Sequence, residues 1–177
     1  MVVVKDSSGA KSPVIYYGGV FDYNGLIEEI ANWYSSMGYE FHENVYKHKV
    51  PSPAGSEQEF SLGGYKKITE YVKYWIDIKG HIWELNEVEV KIGNKVKKMA
   101  KGKIKIELTA RTDLDYNNKF NTPTAIKLQK FLHQHIWYKK ITGGWTDESY
   151  YLMWKLHAKI KKLLKMSTPH NASDIRY

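Results

Sequence analysis

The chain of 177 residues contains no cysteine, which excludes disulfide bonds, thiolate catalysis and cysteine-ligated metal sites. It has only two arginines, Arg111 and Arg176, among 27 basic residues, although base reading and phosphate clamping usually exploit the planar guanidinium group. No apolar run approaches the roughly 18 residues that a membrane-spanning helix needs. The opening MVVVKDSSGAKSP is too short and too polar for a secretory signal, so we expect a soluble intracellular protein.

Motifs of the common enzyme classes are also missing from the sequence. It has no phosphate loop, no GxSxG elbow, no GxGxxG and no HExxH. His133 and His135 are two residues apart on a predicted helix, so they point in different directions and cannot share a metal ion. We predict no catalytic, cofactor-binding or metal-binding residues and a protein that is not an enzyme. An enzyme remains the alternative, because dispersed carboxylates such as Glu84 and Glu87 could come together in a catalytic site.

A long alternating stretch from Val72 to Ile92 is the main β-strand signal. As one strand it would span about 66 Å, well beyond the usual length, so we predict an interruption between Gly80 and Asn86 that divides it into two strands. Gly63-Gly64 predicts a bulge or bend, and Gly93-Asn94 predicts a two-residue hairpin turn.

Three helices are indicated by periodicity and capping residues. The first runs to Gly38 and is capped by Asp22 or Asn24. The second is capped by Thr122 before Pro123, and the third by Thr146. Their predicted apolar stripes contain Leu128, Leu132, His135 and Ile136 in the second helix and Met153, Leu156, Ile160, Leu163 and Leu164 in the third.

These elements predict the fold class α+β: a strongly twisted antiparallel sheet of five to seven strands, with one N-terminal helix and two C-terminal helices packed on it. We expect one domain over residues 1–177, with polar tails at about 1–12 and 167–177. The strands around Trp75 and Trp83 have apolar or aromatic residues on both faces, and we expect the C-terminal helices to cover the second face.

Positive charge is concentrated in the last third of the chain. The net charge is +8, and residues 116–177 hold ten lysines and Arg176 against only Asp147, Glu148 and Asp174. Lysine-rich stretches in a predicted hairpin and in the last helix are candidates for binding anions such as nucleic acid or an anionic membrane surface. Lysines that only protect a strand edge or solubilise a helix are the alternative. The candidate residues are Lys91, Lys95, Lys97, Lys98, Lys101, Lys103, Lys105, Lys155, Lys159 and Lys162.

Aromatic residues are abundant, with six tryptophans and fourteen tyrosines. Such amphipathic rings are enriched at protein interfaces, where one edge is dry and another forms hydrogen bonds. Tyr71, Trp75 and Trp83 are therefore candidate interface residues, and self-assembly is the natural alternative to a ligand pocket.

The segments KGHIWELNEVEV, KGKIKIEL, LDY and YYLMWKLHAKIKKLL together resemble a family of uncharacterised small proteins from DPANN-type archaea. The resemblance would cover nearly the whole chain. It implies an archaeal origin and a cytoplasmic or virus- or particle-associated location. It implies no activity and no site residues.

We therefore expect a structural or interaction protein that forms a homo-oligomer through an aromatic-rich sheet surface and its edge strands. A lysine-rich module that binds nucleic acid or anionic membrane is the first alternative. A protein that binds an apolar small molecule is the second.

Overall fold

The computed structural model describes residues 2–5, 12–52, 55–92 and 95–166, and it confirms the α+β class. The described strands form one six-stranded antiparallel sheet in the order β1-β6-β5-β4-β3, with β2 also paired to β6. The strands are β1 (Val2–Lys5), β2 (Val14–Phe21), β3 (Glu40–Ser52), β4 (Gly55–Lys67), β5 (Val72–Ile92) and β6 (Lys95–Leu114). The helices are α1 (Tyr23–Ser36), α2 (Pro123–His135), the single turn α3 (Tyr138–Lys140), a π-helical turn (Ile141–Thr146) and α4 (Asp147–Leu163).

The long alternating stretch is one strand, so the prediction of two strands is wrong. The interruption lies where the sequence predicted it, but it is a β-bulge: the register shifts between Trp83 and Asn86. Glu84 has a φ of 54°, which accommodates the extra residue on β5. A bulge satisfies the need to bend without breaking the ladder, because β6 remains paired with β5 on both sides of it.

Of the bulge or bend predicted at Gly63-Gly64, the bulge is wrong, because both residues stay in register with β3 and β5. Gly64 has a different role. A Cβ there would lie 2.6 Å from the Tyr34 ring, so the missing side chain makes room for a tyrosine of α1. The predicted turn at Gly93-Asn94 lies outside the described residues.

The core lies between α1, α4 and one face of the sheet, which we call the inner face. The even-numbered residues Tyr74, Ile76, Ile78 and Ile82 of β5 are fully buried there. The Tyr34 hydroxyl of α1 donates a hydrogen bond to the Ile76 carbonyl at 2.9 Å. The Tyr74 hydroxyl donates to a Glu148 carboxylate oxygen of α4, also at 2.9 Å. These two bonds fix both helices on the inner face.

The C-terminal helices therefore do not form the predicted cover over Trp75 and Trp83, which have odd numbers and point to the opposite side. α4 packs under the sheet, where the Ser149 and Thr112 hydroxyls lie 3.1 Å apart in a buried hydrogen bond. The even positions supply a continuous aliphatic surface, and the apolar stripe of α4 is buried against it.

The stripe predicted for α2 is wrong. Leu128 and Ile136 are 52% and 60% exposed and His135 is exposed, whereas Gln129 is the buried residue of this helix. The Gln129 amide donates to the Tyr71 hydroxyl at 2.8 Å, so the helix is held through a polar contact.

Most of the predicted helix ends are confirmed. Asp22 accepts a hydrogen bond from the Gly25 amide, Thr122 accepts one from the Ala125 amide, and Gly38 has a φ of 73°. Thr146 does not cap α4, because its hydroxyl instead donates to the Ile141 carbonyl inside the π-helical turn. Leu163 is 37% exposed, although the other residues of the predicted α4 stripe are buried.

Candidate interaction surface

The side of the sheet opposite α1 and α4, which we call the open face, carries aromatic, histidine and charged side chains that could bind a partner or a ligand. Residues paired across antiparallel strands point to the same side of a sheet. Tyr65, Trp75 and Arg111 therefore form one row across β4, β5 and β6. Farther along the strands, His81 lies in a second row between Glu59 and Lys105.

The first row is the centre of an aromatic and cationic group that we call the Trp75 cluster: Trp75, Tyr65, His42, Lys73 and Arg111. The Tyr65 and His42 ring centroids lie 5.1 and 6.0 Å from that of Trp75. The Arg111 guanidinium carbon lies 4.8 Å from the indole centroid, and the Lys73 ammonium lies 5.5 Å from it. Such cation–π contacts favour a ring that is partly withdrawn from water.

Polar atoms around Trp75 are buried without a hydrogen-bond partner among the described residues. They are the Trp75 Nε1, the Arg111 Nε and the Asp113 Oδ1. The last two atoms are 3.3 Å apart and attract each other as an ion pair, although they lack the alignment of a hydrogen bond. An unsatisfied buried polar group costs about 1–3 kcal/mol, so the packing around Trp75 is achieved at some cost in stability.

Asp77 lies beside these groups, and burial raises the pKa of its carboxyl group. The nearby charges of Arg111, His42 and Lys79 act in the opposite direction and favour the ionised form. The carboxylate is therefore held in a partly dry environment that attracts hydrogen-bond donors.

A second group, the Trp83 cluster, comprises Trp83, His81, Glu57 and Glu59. The His81 imidazole stacks on the Trp83 indole, with centroids 4.0 Å apart and ring planes 16° apart. The His81 Nε2 lies 2.5 Å from the Glu57 Oε1, and the Nδ1 lies 3.8 Å from the Glu59 Oε1. The cluster borders a concavity of about 620 Å³, whose other lining residues include Tyr16, Lys79 and Lys105.

Charges of both signs alternate over the open face. Among the side chains that the structure describes, its cations are Lys67, Lys73, Lys79, Lys97, Lys101, Lys103, Lys105 and Arg111, and its acids are Glu40, Glu57, Glu59, Asp77, Glu107 and Asp113. The acids lie among the cations and reduce the positive potential that a polyanion would meet on this part of the face.

Several lysines predicted to bind anions are engaged in ion pairs. Lys103 pairs with Glu84 at 2.7 Å, Lys105 with Glu107 at 2.5 Å and Lys159 with Glu29 at 2.9 Å. Lys97 pairs with Asp22, and the hydrogen bond from its ammonium lowers the pKa of that carboxyl group. The hydrogen bond to Glu107 raises the pKa of Lys105. The other candidates Lys91, Lys98, Lys101, Lys155 and Lys162 are exposed. The side chain of Lys95 is not among those that the structure describes.

The structure brings Trp75 and Trp83 to the same face and places Tyr71 elsewhere. The Tyr71 hydroxyl is 2.6 Å from the His133 Nε2, and its ring contacts Phe120 and Trp137. Tyr71 thus anchors the segment around α2. Burial at this contact lowers the pKa of His133, which favours the neutral imidazole.

Sequence reasoning singled out Trp83 but missed its partners Glu57, Glu59 and His81. The spacing Glu57-x-Glu59 places both carboxylates on one side of a strand, and this signal was visible. The partner was not, because the register that sets Glu59 opposite His81 depends on the length of the β4–β5 connection.

No helix in the described part of the chain is long and apolar enough to cross a membrane. No protein-family model matches the chain, and comparisons with curated proteins and with solved structures give no significant match. Inferences about its function therefore depend on the open face itself.

Proposed function

We propose that this chain is a non-enzymatic interaction protein that self-associates through the open face of its sheet. The observation that carries the proposal is the position of Trp75 and Trp83, both only partly buried, on the side opposite α1 and α4. A partner surface would remove more of the two indoles from water.

The mixture of cationic and acidic side chains favours a second copy of the same chain over a polyanion. A twofold interface brings the same patch of both subunits together, so it requires a surface that is complementary to itself. On the open face, cationic Arg111 and Lys105 lie close to acidic Asp77 and Glu107. Rotating such a surface by 180° about an axis through it can place cations opposite acids.

The open face is also large enough for a stable contact. Trp75 and Trp83 are eight residues apart on β5, which corresponds to about 26 Å at 3.3 Å per residue. The strands from β2 to β3 add a width of roughly 20 Å at 4.8 Å per strand. The resulting patch of roughly 500 Å², extended by residues beyond both tryptophans, approaches the ~800 Å² that each partner buries in a typical specific complex.

Edge strand β3 offers a second contact of the same kind. In the described sheet it is hydrogen-bonded to β4 on one side. A free edge is a template for pairing with another chain, so two sheets could associate through β3 as well as through the open face.

Sedimentation equilibrium of the wild type and of Trp75→Ala tests the proposal. We expect the wild type to associate reversibly and Trp75→Ala to weaken association at least about tenfold, because an aromatic anchor at the centre of an interface contributes more than 1.4 kcal/mol. Trp154→Ala is the matched control, since Trp154 is 39% exposed on α4, on the other side of the sheet.

Two results would reject self-association through this face. One is a wild type that stays monomeric up to millimolar concentration. The other is an association that Trp154→Ala weakens as much as Trp75→Ala does. Circular dichroism of each variant establishes that the fold is retained before the association constants are compared.

The alternative of a lysine-rich module is weakened by the ion pairs that engage Lys97, Lys103 and Lys105. Fluorescence anisotropy with a labelled single-stranded oligonucleotide would detect such a module, and its binding should weaken steeply with salt. The alternative of an apolar ligand fits the concavity poorly, because charged side chains such as Lys79 and Glu59 line it.

A further inference from the structure

We propose that Glu57, Glu59 and His81 form a binding site for a divalent transition-metal ion such as Zn²⁺. Each residue offers one ligand atom, and the three atoms lie within 4.8 Å of one another. All three side chains are partly buried, so they are neither freely solvated nor sealed from an incoming ion.

The sheet holds these residues in place. Glu57 and Glu59 lie two residues apart on β4, and Glu59 is directly paired with His81 on β5. A register shift between Ser56 and Gln58 sets Glu57 beside the same part of β5. Ligands mounted on paired strands need little reorganisation to bind, which favours affinity.

The donor set suits zinc in both chemistry and distance. One imidazole nitrogen and two carboxylate oxygens are common zinc ligands, and Zn–N and Zn–O bonds of about 2.0–2.2 Å place tetrahedral ligands roughly 3.3 Å apart. The His81 Nε2 lies 2.5 Å from the Glu57 Oε1, and one donor atom from each of the three residues lies within 4.8 Å of the other two, so the required separation falls inside the observed range. Small rotations of the side chains would bring the three donors around one ion.

The donor set itself suits a cation. Two carboxylate oxygens and one imidazole nitrogen converge within 4.8 Å, and carboxylates attract a divalent ion. Binding of the ion would replace the short contact between His81 and Glu57.

Trp83 contributes to the site without binding the ion. Its indole stacks on the imidazole with 4.0 Å between centroids and fixes the plane of the ring. Orientation of a histidine ligand by its neighbours is a common feature of metal sites. The remaining coordination positions would face the concavity of about 620 Å³, which leaves room for water or another oxygen ligand.

Isothermal titration with Zn²⁺ tests the site in the full chain. We expect one ion per chain in the wild type and an affinity loss of at least about 100-fold in His81→Gln and in Glu59→Gln, because a lost ligand should cost at least as much as the loss of an orienting neighbour. His42→Gln is the matched control, since His42 lies on the open face outside the cluster, and we expect its affinity to be unchanged.

A second readout locates the ion. Co²⁺ quenches nearby indoles, so we expect it to reduce the tryptophan fluorescence of the wild type and of Trp75→Phe, with much less reduction in Trp83→Phe. Added Zn²⁺ should restore the signal by competition.

The proposal is overturned if Zn²⁺ does not bind the wild type, or if His81→Gln binds it as tightly as the wild type does. It is independent of self-association, because one chain supplies all three ligands. Trp75→Ala should therefore still bind one ion per chain, and loss of the ion in that folded variant would also overturn the single-chain site.

Discussion

Replacing Gly80 with alanine tests the assignment of the two faces of the sheet. Gly80 is paired with Phe60, and a Cβ at this position would lie 2.0 Å from the Cζ of Phe60 and 2.2 Å from its Cε1. Ordinary carbon contacts are about 3.5–4.0 Å, so the ring would have to move by roughly 1.5 Å. Phe60 is only 3% exposed and is enclosed in the core, which leaves no direction in which such a movement is free.

We expect Gly80→Ala to lower the free energy of unfolding by about 3 kcal/mol, at the upper end of the cost of overpacking a core. For a chain of this size the melting temperature should fall by roughly 6–12 °C. Urea denaturation followed by far-ultraviolet circular dichroism measures the change. Phe60→Leu in the same chain should recover part of the loss, because the smaller side chain makes room for the new methyl group.

Gly18→Ala is the matched control. Gly18 is exposed on β2, and the nearest atom to an added Cβ is the Lys103 Cγ at 3.9 Å, an ordinary contact. We expect no loss of stability, or a gain of about 0.4–1 kcal/mol from the less flexible unfolded chain. If Gly80→Ala were as stable as Gly18→Ala, the inner face would be assigned incorrectly, and the position of Trp75 and Trp83 on the open face would be wrong as well.

Three further predictions follow from the buried hydrogen bonds and the helix caps. Tyr34→Phe should lower the free energy of unfolding by about 1 kcal/mol in urea denaturation, whereas Tyr16→Phe, at a residue 65% exposed, should leave it unchanged; equal effects would contradict the buried bond. Burial raises the pKa of Tyr34 and of Tyr74 above the ordinary 10.0, so the folded chain holds the two hydroxyl protons more tightly than the unfolded chain does. The contribution of these protonated hydroxyls to stability is therefore fully present below pH 10 and falls above it. Alkaline titration of the urea midpoint should show this fall, with a smaller slope in Tyr34→Phe, and a midpoint independent of pH above 10 would refute it. Thr122→Ala removes the oxygen that accepts a hydrogen bond from the Ala125 amide at 3.3 Å. A cap contributes about 1 kcal/mol, so we expect amide hydrogen exchange in the first turn of α2 to become roughly five- to tenfold faster. Unchanged exchange there would show that the cap does not hold the helix.

Local signals in the sequence predicted the elements of this fold well. Asp22 and Thr122 are good N-caps wherever a helix begins, and the alternation of Tyr74, Ile76 and Ile78 gives a buried strand face. These preferences act over a few residues, so they can be read without knowing what lies across the sheet.

Nonlocal packing decided the features that the sequence could not predict. Leu128 and Ile136 form an apolar stripe that suggested burial, yet α2 is held by Gln129 and Tyr71 and leaves the stripe exposed. The cluster of Glu57, Glu59 and His81 likewise depends on the register between β4 and β5, which no short window of sequence contains. The same holds for the second face of the sheet, because aromatic residues on it can be covered by helices, by another chain or by solvent.

The bulge after Trp83 determines how far the open face extends. Without it, the even-numbered residues would stay on the inner face along the whole of β5. The extra residue changes the parity, so Val88 is paired with Met99 and Val90 with Lys97 on the same side as Trp83. The two valines thus extend the open face toward the last residues of β5. Val88 and Val90 are partly buried in the single chain, and a second chain docked on the open face would cover more of them together with Trp83.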